Sequence, residues 1–161
     1  MSYSSNNVYE VYISIDALVK SLVHATLYKE IEVLGFLLGN FYTWNGKEYT
    51  LIKDSQPIGS ISKSYMVKPR TGSLARIAKK LGNILNENTI VGWYHSHPGY
   101  GCFLSSIDIQ SQKVFFTNPN HVALVIDPIN KYLDFFKLTN NSYKKASFVI
   151  FEKVKKNERQ K

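Results

Sequence analysis

The chain of 161 residues carries a single cysteine, Cys102. That excludes an intrachain disulfide and any zinc knot built from several thiolates of this chain. There is no apolar run of about 18 residues or more, the length a membrane-spanning helix requires. The opening MSYSSNN lacks the basic-then-apolar layout of a secretory signal. A soluble, cytoplasmic protein with no membrane partner is the expectation. Acidic residues are scarce, 12 against 20 basic ones, for a formal net charge of +8. The basic residues are nonetheless dispersed: Lys63, Lys68, Arg70, Arg76, Lys79 and Lys80 in mid-chain, then Lys144, Lys145 and the tail KVKKNERQK. Solvated helix faces and a frayed tail account for such a distribution, so nucleic acid is not expected as a partner.

What is present suits one packed domain: 44% of residues are hydrophobic and 14% aromatic, without internal repeat or low-complexity segment. Residues 1–7 are expected to be a flexible N-terminus, 8–154 a single domain and 155–161 a basic flexible tail. Alternation over 8–14 predicts a strand, after which Ser14 can cap a helix running to about Tyr28 with Leu18, Leu22 and Ala25 on one face. Residues 32–43 are almost continuously apolar, and Asn45-Gly46 is a hairpin signal before a second strand over 47–53. A short strand at 66–68, a helix over 72–86 with Leu74, Ile77, Leu81 and Ile84 at helical spacing, and a strand over 89–95 follow. Beyond them the pattern predicts a helix over 106–116 and strands over 122–126, 132–138 and 146–154, with the Asp127-Pro128 turn between the first two of those strands. Hairpins mixed with a few helices make the class α+β.

The chemistry concentrates in GWYHSHPGYGCFLSSID. His95 and His97 lie two apart at a predicted strand end, so both imidazoles project from one face. Pro98, Gly99 and Gly101 turn the chain out, and Ser105 can start a helix with Asp108 in its first turn. Two histidines and a carboxylate suit catalytic zinc, which keeps a fourth position for water. The same spacing also permits a plain structural reading, with Ser105-x-x-Asp108 as a helix cap and His-x-His as strand packing.

This segment resembles the JAMM motif of the MPN-domain metalloproteases, in which His-Ser-His-Pro leads, after a fixed spacer, to Ser-x-x-Asp. Here residues 98 to 104 separate His97 from Ser105, and Asp108 follows at the matching place. The family's upstream glutamate, heading a pattern like Glu-Val-x-Gly-x-Leu-x-Gly, is matched by Glu32 in EVLGFLLG, with Gly35 and Gly39; Glu30 fits less well. Where relatives tend to have Trp and Gly, this chain has Phe103 and Ser106, neither of them a ligand. The similarity is greatest to the deubiquitinase subunits of the proteasome lid and the signalosome, in a minimal, archaeal-type form.

The resemblance implies an MPN (JAMM) fold, a curved mixed or antiparallel sheet flanked by helices, cytidine-deaminase-like. It implies one Zn2+ per chain held by His95, His97 and Asp108. Glu32 would act as proton carrier to the attacking water, and Ser105 as donor to the oxyanion. The implied activity is a zinc-dependent isopeptidase, or deubiquitinase, acting on conjugates of ubiquitin or a ubiquitin-like modifier, with proteasome association as a further implied partner. A small sulfur-carrier protein is an alternative modifier, and a latent or non-catalytic scaffold is the alternative outside enzymes. Cys102 paired with a histidine is a rival nucleophile that leaves Glu32 and Asp108 without a role. Residues 58–66 are the candidate sheet edge for an extended substrate tail. Ser96 reads as packing behind the ligands, and His24 and His121 as structural residues.

Overall fold

A computed structural model describes residues 8–61 and 88–153. The expected strand at 66–68, the expected helix over 72–86, both termini and the 62–66 part of the candidate edge lie outside the described residues. The elements are β1 (Val11–Ser14), α1 (Ile15–Leu27), β2 (Glu32–Trp44), β3 (Lys47–Ile61), β4 (Thr89–Ser96), α2 (Ser106–Phe115), β5 (Val122–Asp127), β6 (Tyr132–Leu138), β7 (Tyr143–Lys145) and β8 (Phe148–Phe151).

Local chemistry sets most of the boundaries. Ser14 ends β1 in an extended conformation, and its Oγ accepts the Ala17 N–H, capping α1. Asn45 and Gly46 both have positive φ, 49° and 73°, the geometry of a tight hairpin turn that joins β2 to β3. Ser105 caps α2. The sheet order is β7-β6-β5-β4-β2-β3-β1-β8. Its centre, β4, runs antiparallel to β2 and parallel to β5, so of the mixed or antiparallel sheet that the resemblance implies, the mixed form is observed.

The last stretch departs from the expectation of one strand over 146–154. Two short strands form instead, and they occupy opposite ends of the sheet. Only Ala146 and Ser147 separate them. Ala146 N–H donates to Phe135 of β6, whereas the Ser147 carbonyl receives Val11 N–H from β1. Three Cα steps reach no further than about 11 Å. The sheet therefore curls until its two edges almost meet.

Side chains alternate along β4. Tyr94, fully buried, joins Val11, Ile13, Leu37, Leu124 and Ile126 in the core that α1 covers with Ala17, Leu18 and Ala25. Trp93 packs on the other face with Leu104, Val125 and Phe136, beside Ile109 of α2. His95 and His97 share the parity of Trp93 and so point toward α2. β3 extends to Ile61, further than expected, and its residues 59–61 pair with Glu32–Leu34 on one side only among the described strands, since β1 meets β3 at 50–52.

Gly35 explains a sequence feature that the site depends on. A Cβ there would run into the Tyr94 ring, and β2 carries a register shift at Leu34/Gly35. Replacing Gly35 by Ala should destabilise the fold by about 1–3 kcal/mol through overpacking, whereas Gly59→Ala, with nothing within 4 Å of the added carbon, should cost far less. Urea unfolding of the two variants checks this; equal losses would contradict it.

Candidate metal centre

β4 delivers the first candidate ligand, His95, and the chain just past its end the second, His97, because the His97 N–H still donates to Ile126 of β5 at 2.8 Å and prolongs the strand by a residue. The third comes from the capping of α2. Ser105 Oγ accepts the Asp108 N–H at 3.2 Å, and Asp108 Oδ2 accepts the Ser105 N–H at 2.7 Å. This reciprocal cap fixes the Asp108 carboxylate on the side facing the histidines. The structural reading of Ser105-x-x-Asp108 is thus observed, and the same cap holds the Asp108 carboxylate where the ligand reading needs it.

The three side chains converge. His95 Nε2 lies 3.2 Å from His97 Nε2 and 3.4 Å from Asp108 Oδ2, and His97 Nε2 lies 3.6 Å from that oxygen. Donors held at ~2.0–2.1 Å around a tetrahedral zinc stand about 3.3 Å apart, so the spacing fits one ion. The group is buried, with 1%, 4% and 8% of the residues' surfaces exposed. Among the described residues it is the one cluster of at least three histidine, cysteine or acidic groups close enough to share an ion. Burial works to raise the Asp108 pKa, and its bonds to His95, His97 and Ser105 outweigh that, holding the carboxyl well below its usual range.

The two imidazoles are oriented differently. His97 Nδ1 sits 3.1 Å from the Gly101 carbonyl; for that contact to be a hydrogen bond the proton must lie on Nδ1, leaving the Nε2 lone pair aimed into the group. His95 Nδ1 is buried without a partner, and its ring is held by stacking on Trp93, 4.4 Å away at 18°. Trp93 is in turn tied to α2 through Gln112 Oε1 at 3.3 Å. Phe103 lies 4.7 Å from the His97 ring.

Glu32 begins β2. Continuing the Leu34–His95 register by two residues places it level with His97. Tyr100 links the two: its Oη donates to Glu32 Oε1 at 3.3 Å while its ring lies 5.5 Å from the His97 ring. The structure thus brings His95, His97 and Asp108 into contact, with Ser105 in the cap and Glu32 alongside. Glu30 is exposed in the turn before β2.

Three supporting residues carried weak or no sequence signal. Ser96, between the ligands, turns to the opposite face, where its Oγ accepts the Val33 N–H at 2.9 Å and donates to the Ile31 carbonyl at 3.4 Å. It therefore grips the backbone on both sides of Glu32. Tyr100 had no assigned role, and Asp127 was read only as part of a turn. Its carboxylate accepts five hydrogen bonds: Gly99 N, Ile129 N and Asn130 N at 3.0 Å each on Oδ1, Gly101 N at 2.8 Å and Asn130 Nδ2 at 2.7 Å on Oδ2. Burial works against its charge, but the bonds from Asn130, Gly99 and Gly101 prevail and hold its pKa well below the usual carboxylate range.

The remaining candidates have local explanations. Cys102 Sγ points at the carbonyls of Val125 and Tyr132, and burial pushes its pKa to about 11, so a thiolate nucleophile is disfavoured. His24 Nδ1 meets Tyr94 Oη at 2.8 Å, and His121 Nδ1 accepts the Asn118 N–H at 3.0 Å.

A curled mixed sheet whose central strand ends in His-x-His, met by a carboxylate from the next helix, defines an α+β class with a two-histidine, one-carboxylate centre. The family model described as "JAB1/Mov34/MPN/PAD-1 ubiquitin protease" matches residues 6–118, and the chain belongs to this family. The 26S proteasome regulatory subunit RPN11 of Candida glabrata is 40% identical over 123 residues, 74% of this chain and 39% of that protein. COP9 signalosome complex subunit 5 of Kluyveromyces lactis is 39% identical over 117 residues, 70% of this chain and 30% of that protein. The chain thus spans well under half the length of these relatives. In fold it is similar to the solution structure of protein DSY2949 from Desulfitobacterium hafniense, with a TM-score of 0.63 at 17% identity, covering 94% of this chain and 99% of that one.

Two measurements follow from the supporting bonds. Ser96→Ala strands the Val33 N–H in a buried position and should cost about 1–3 kcal/mol of stability; an unchanged urea midpoint would contradict the assignment. The folded pKa of Asp127 is depressed, so its contribution is full above the unfolded value near ~3.9 and is lost as pH falls through that value toward the folded one. Asp127→Asn should therefore flatten the acid side of the stability profile below about pH 4, and identical slopes for variant and wild type would refute it.

Proposed function

We propose that the chain is a zinc-dependent isopeptidase that removes ubiquitin or a ubiquitin-like modifier from its conjugates. The observation that carries the proposal is the buried convergence of His95 Nε2, His97 Nε2 and Asp108 Oδ2 at 3.2–3.6 Å, with Glu32 at the adjoining strand end. The spacing and the lone pair on His97 fit Zn2+. Bound there, the ion would lower the pKa of a water to about 7 and polarise an amide carbonyl.

The chain's own residues supply the rest. Glu32 takes the proton from the attacking water and returns it to the leaving amine. Ser105 Oγ accepts the Asp108 N–H, and its hydroxyl, which bonds the Asp108 carboxylate in this state, would turn to donate to the oxyanion. Losing one such donor typically lowers kcat by about 10²–10³. Tyr100 and Phe103, exposed by 51% and 39% beside His97, border the approach to the site.

The substrate class rests on the family, whose model is that of a ubiquitin protease. Incorporation into a proteasome-like assembly is the corresponding proposal for partners, since one relative is a 26S proteasome subunit and another a signalosome subunit. The modifier's tail would add to β3 beside residues 58–61.

Zinc content and cleavage of ubiquitin-like conjugates by wild type and Glu32→Gln test the reading. One zinc per chain in both, with cleavage lost in the variant and on chelation but retained after thiol alkylation, is expected. Zinc with no cleavage of any conjugate would favour the scaffold reading, and failure to bind zinc would overturn the mechanism.

A further inference from the structure

Of the two imidazoles, His97 is the one oriented by a hydrogen bond with the loop that follows it, through the Gly101 carbonyl at 3.1 Å. Gly101 lies in a turn where Gly99 and Gly101 both take positive φ, 85° and 82°. Such a turn has many alternatives available, because glycine pays little to leave any one of them. Something outside the turn must therefore choose its conformation.

The contacts identify what does. Asp127, fully buried at the end of β5, receives the N–H of Gly99 on one carboxylate oxygen and that of Gly101 on the other. The carbonyl of Gly101 then faces His97 Nδ1, and Tyr100, held between the two glycines, reaches Glu32. The same carboxylate also holds the turn into β6 through Ile129 and Asn130. We propose that Asp127 is the positioning residue of the metal centre, fixing the imidazole of His97 through Gly101 and so tuning metal affinity without touching the ion. The inference rests on the zinc reading above.

The arrangement of bonds makes the proposal separable from general stability. Oδ1 serves Gly99 and the β5–β6 turn; Oδ2 serves Gly101 and the Asn130 side chain. Asp127→Asn, oriented to keep the three bonds on Oδ1, turns its amide NH2 against two donors and breaks the Gly101 arm. Asn130→Ala removes one bond from the same Oδ2 and leaves the Gly101 N–H bond in place.

Zinc affinity is measured by chelator competition on the full chain, with urea stability recorded for each protein. Asp127→Asn should weaken zinc binding about 10–100-fold, the range for loss of an orienting partner behind a ligand, and Asn130→Ala should remain within about twofold of wild type, since its contact with the carboxylate lies off the path to His97. Equal affinity in wild type and Asp127→Asn, or equal weakening in both variants, overturns the proposal. A second readout needs no variant: histidine 15N spectra of the metal-free wild type should show a proton on His97 Nδ1, and a neutral His97 protonated at Nε2 alone overturns it. Failure of the wild type itself to bind zinc sinks the metal reading instead, which keeps the two outcomes distinct.

Discussion

Two imidazole nitrogens and a carboxylate oxygen stand within 3.6 Å of one another in a place where water scarcely reaches. Such atoms are electron-rich and poorly solvated, and holding them together without a cation is unfavourable. The surrounding structure is arranged to keep them there. β4 sets the two histidines on one face, the α2 cap brings in Asp108, and Trp93 and Gly101 orient the rings.

The strand order explains how one short segment can do this. β4 lies in the middle of the sheet, paired with β2 on one side and β5 on the other. β2 brings Glu32, held at its backbone by Ser96. β5 brings Asp127, which controls the turn after His97. The two sides of the site are thus assembled by neighbours that are remote in sequence. Tyr100 bridges them by reaching from the ligand loop to Glu32.

What the sequence made legible was local. His95 and His97 follow from strand parity, Ser105 and Asp108 from the capping pattern of a helix, and the β2–β3 hairpin from Asn45-Gly46. Glu32 required the resemblance, because its partner strand lies more than fifty residues away and no spacing rule joins them. Asp127 was hidden for the same physical reason: its bonds to Gly99 and Gly101 exist only once β4 and β5 pair in parallel. The split of the last strand was unreadable as well. No proline or glycine marks Ala146 and Ser147, and the break is imposed by the meeting of the two sheet edges.

Anomalous scattering at the zinc edge from crystals grown with Zn2+ tests the central claim most directly. One peak per chain, bonded to His95 Nε2, His97 Nε2 and Asp108 at about 2.0–2.2 Å, is the result this account predicts. A zinc-saturated crystal with no peak at that position, or with the ion held by other residues, would contradict it.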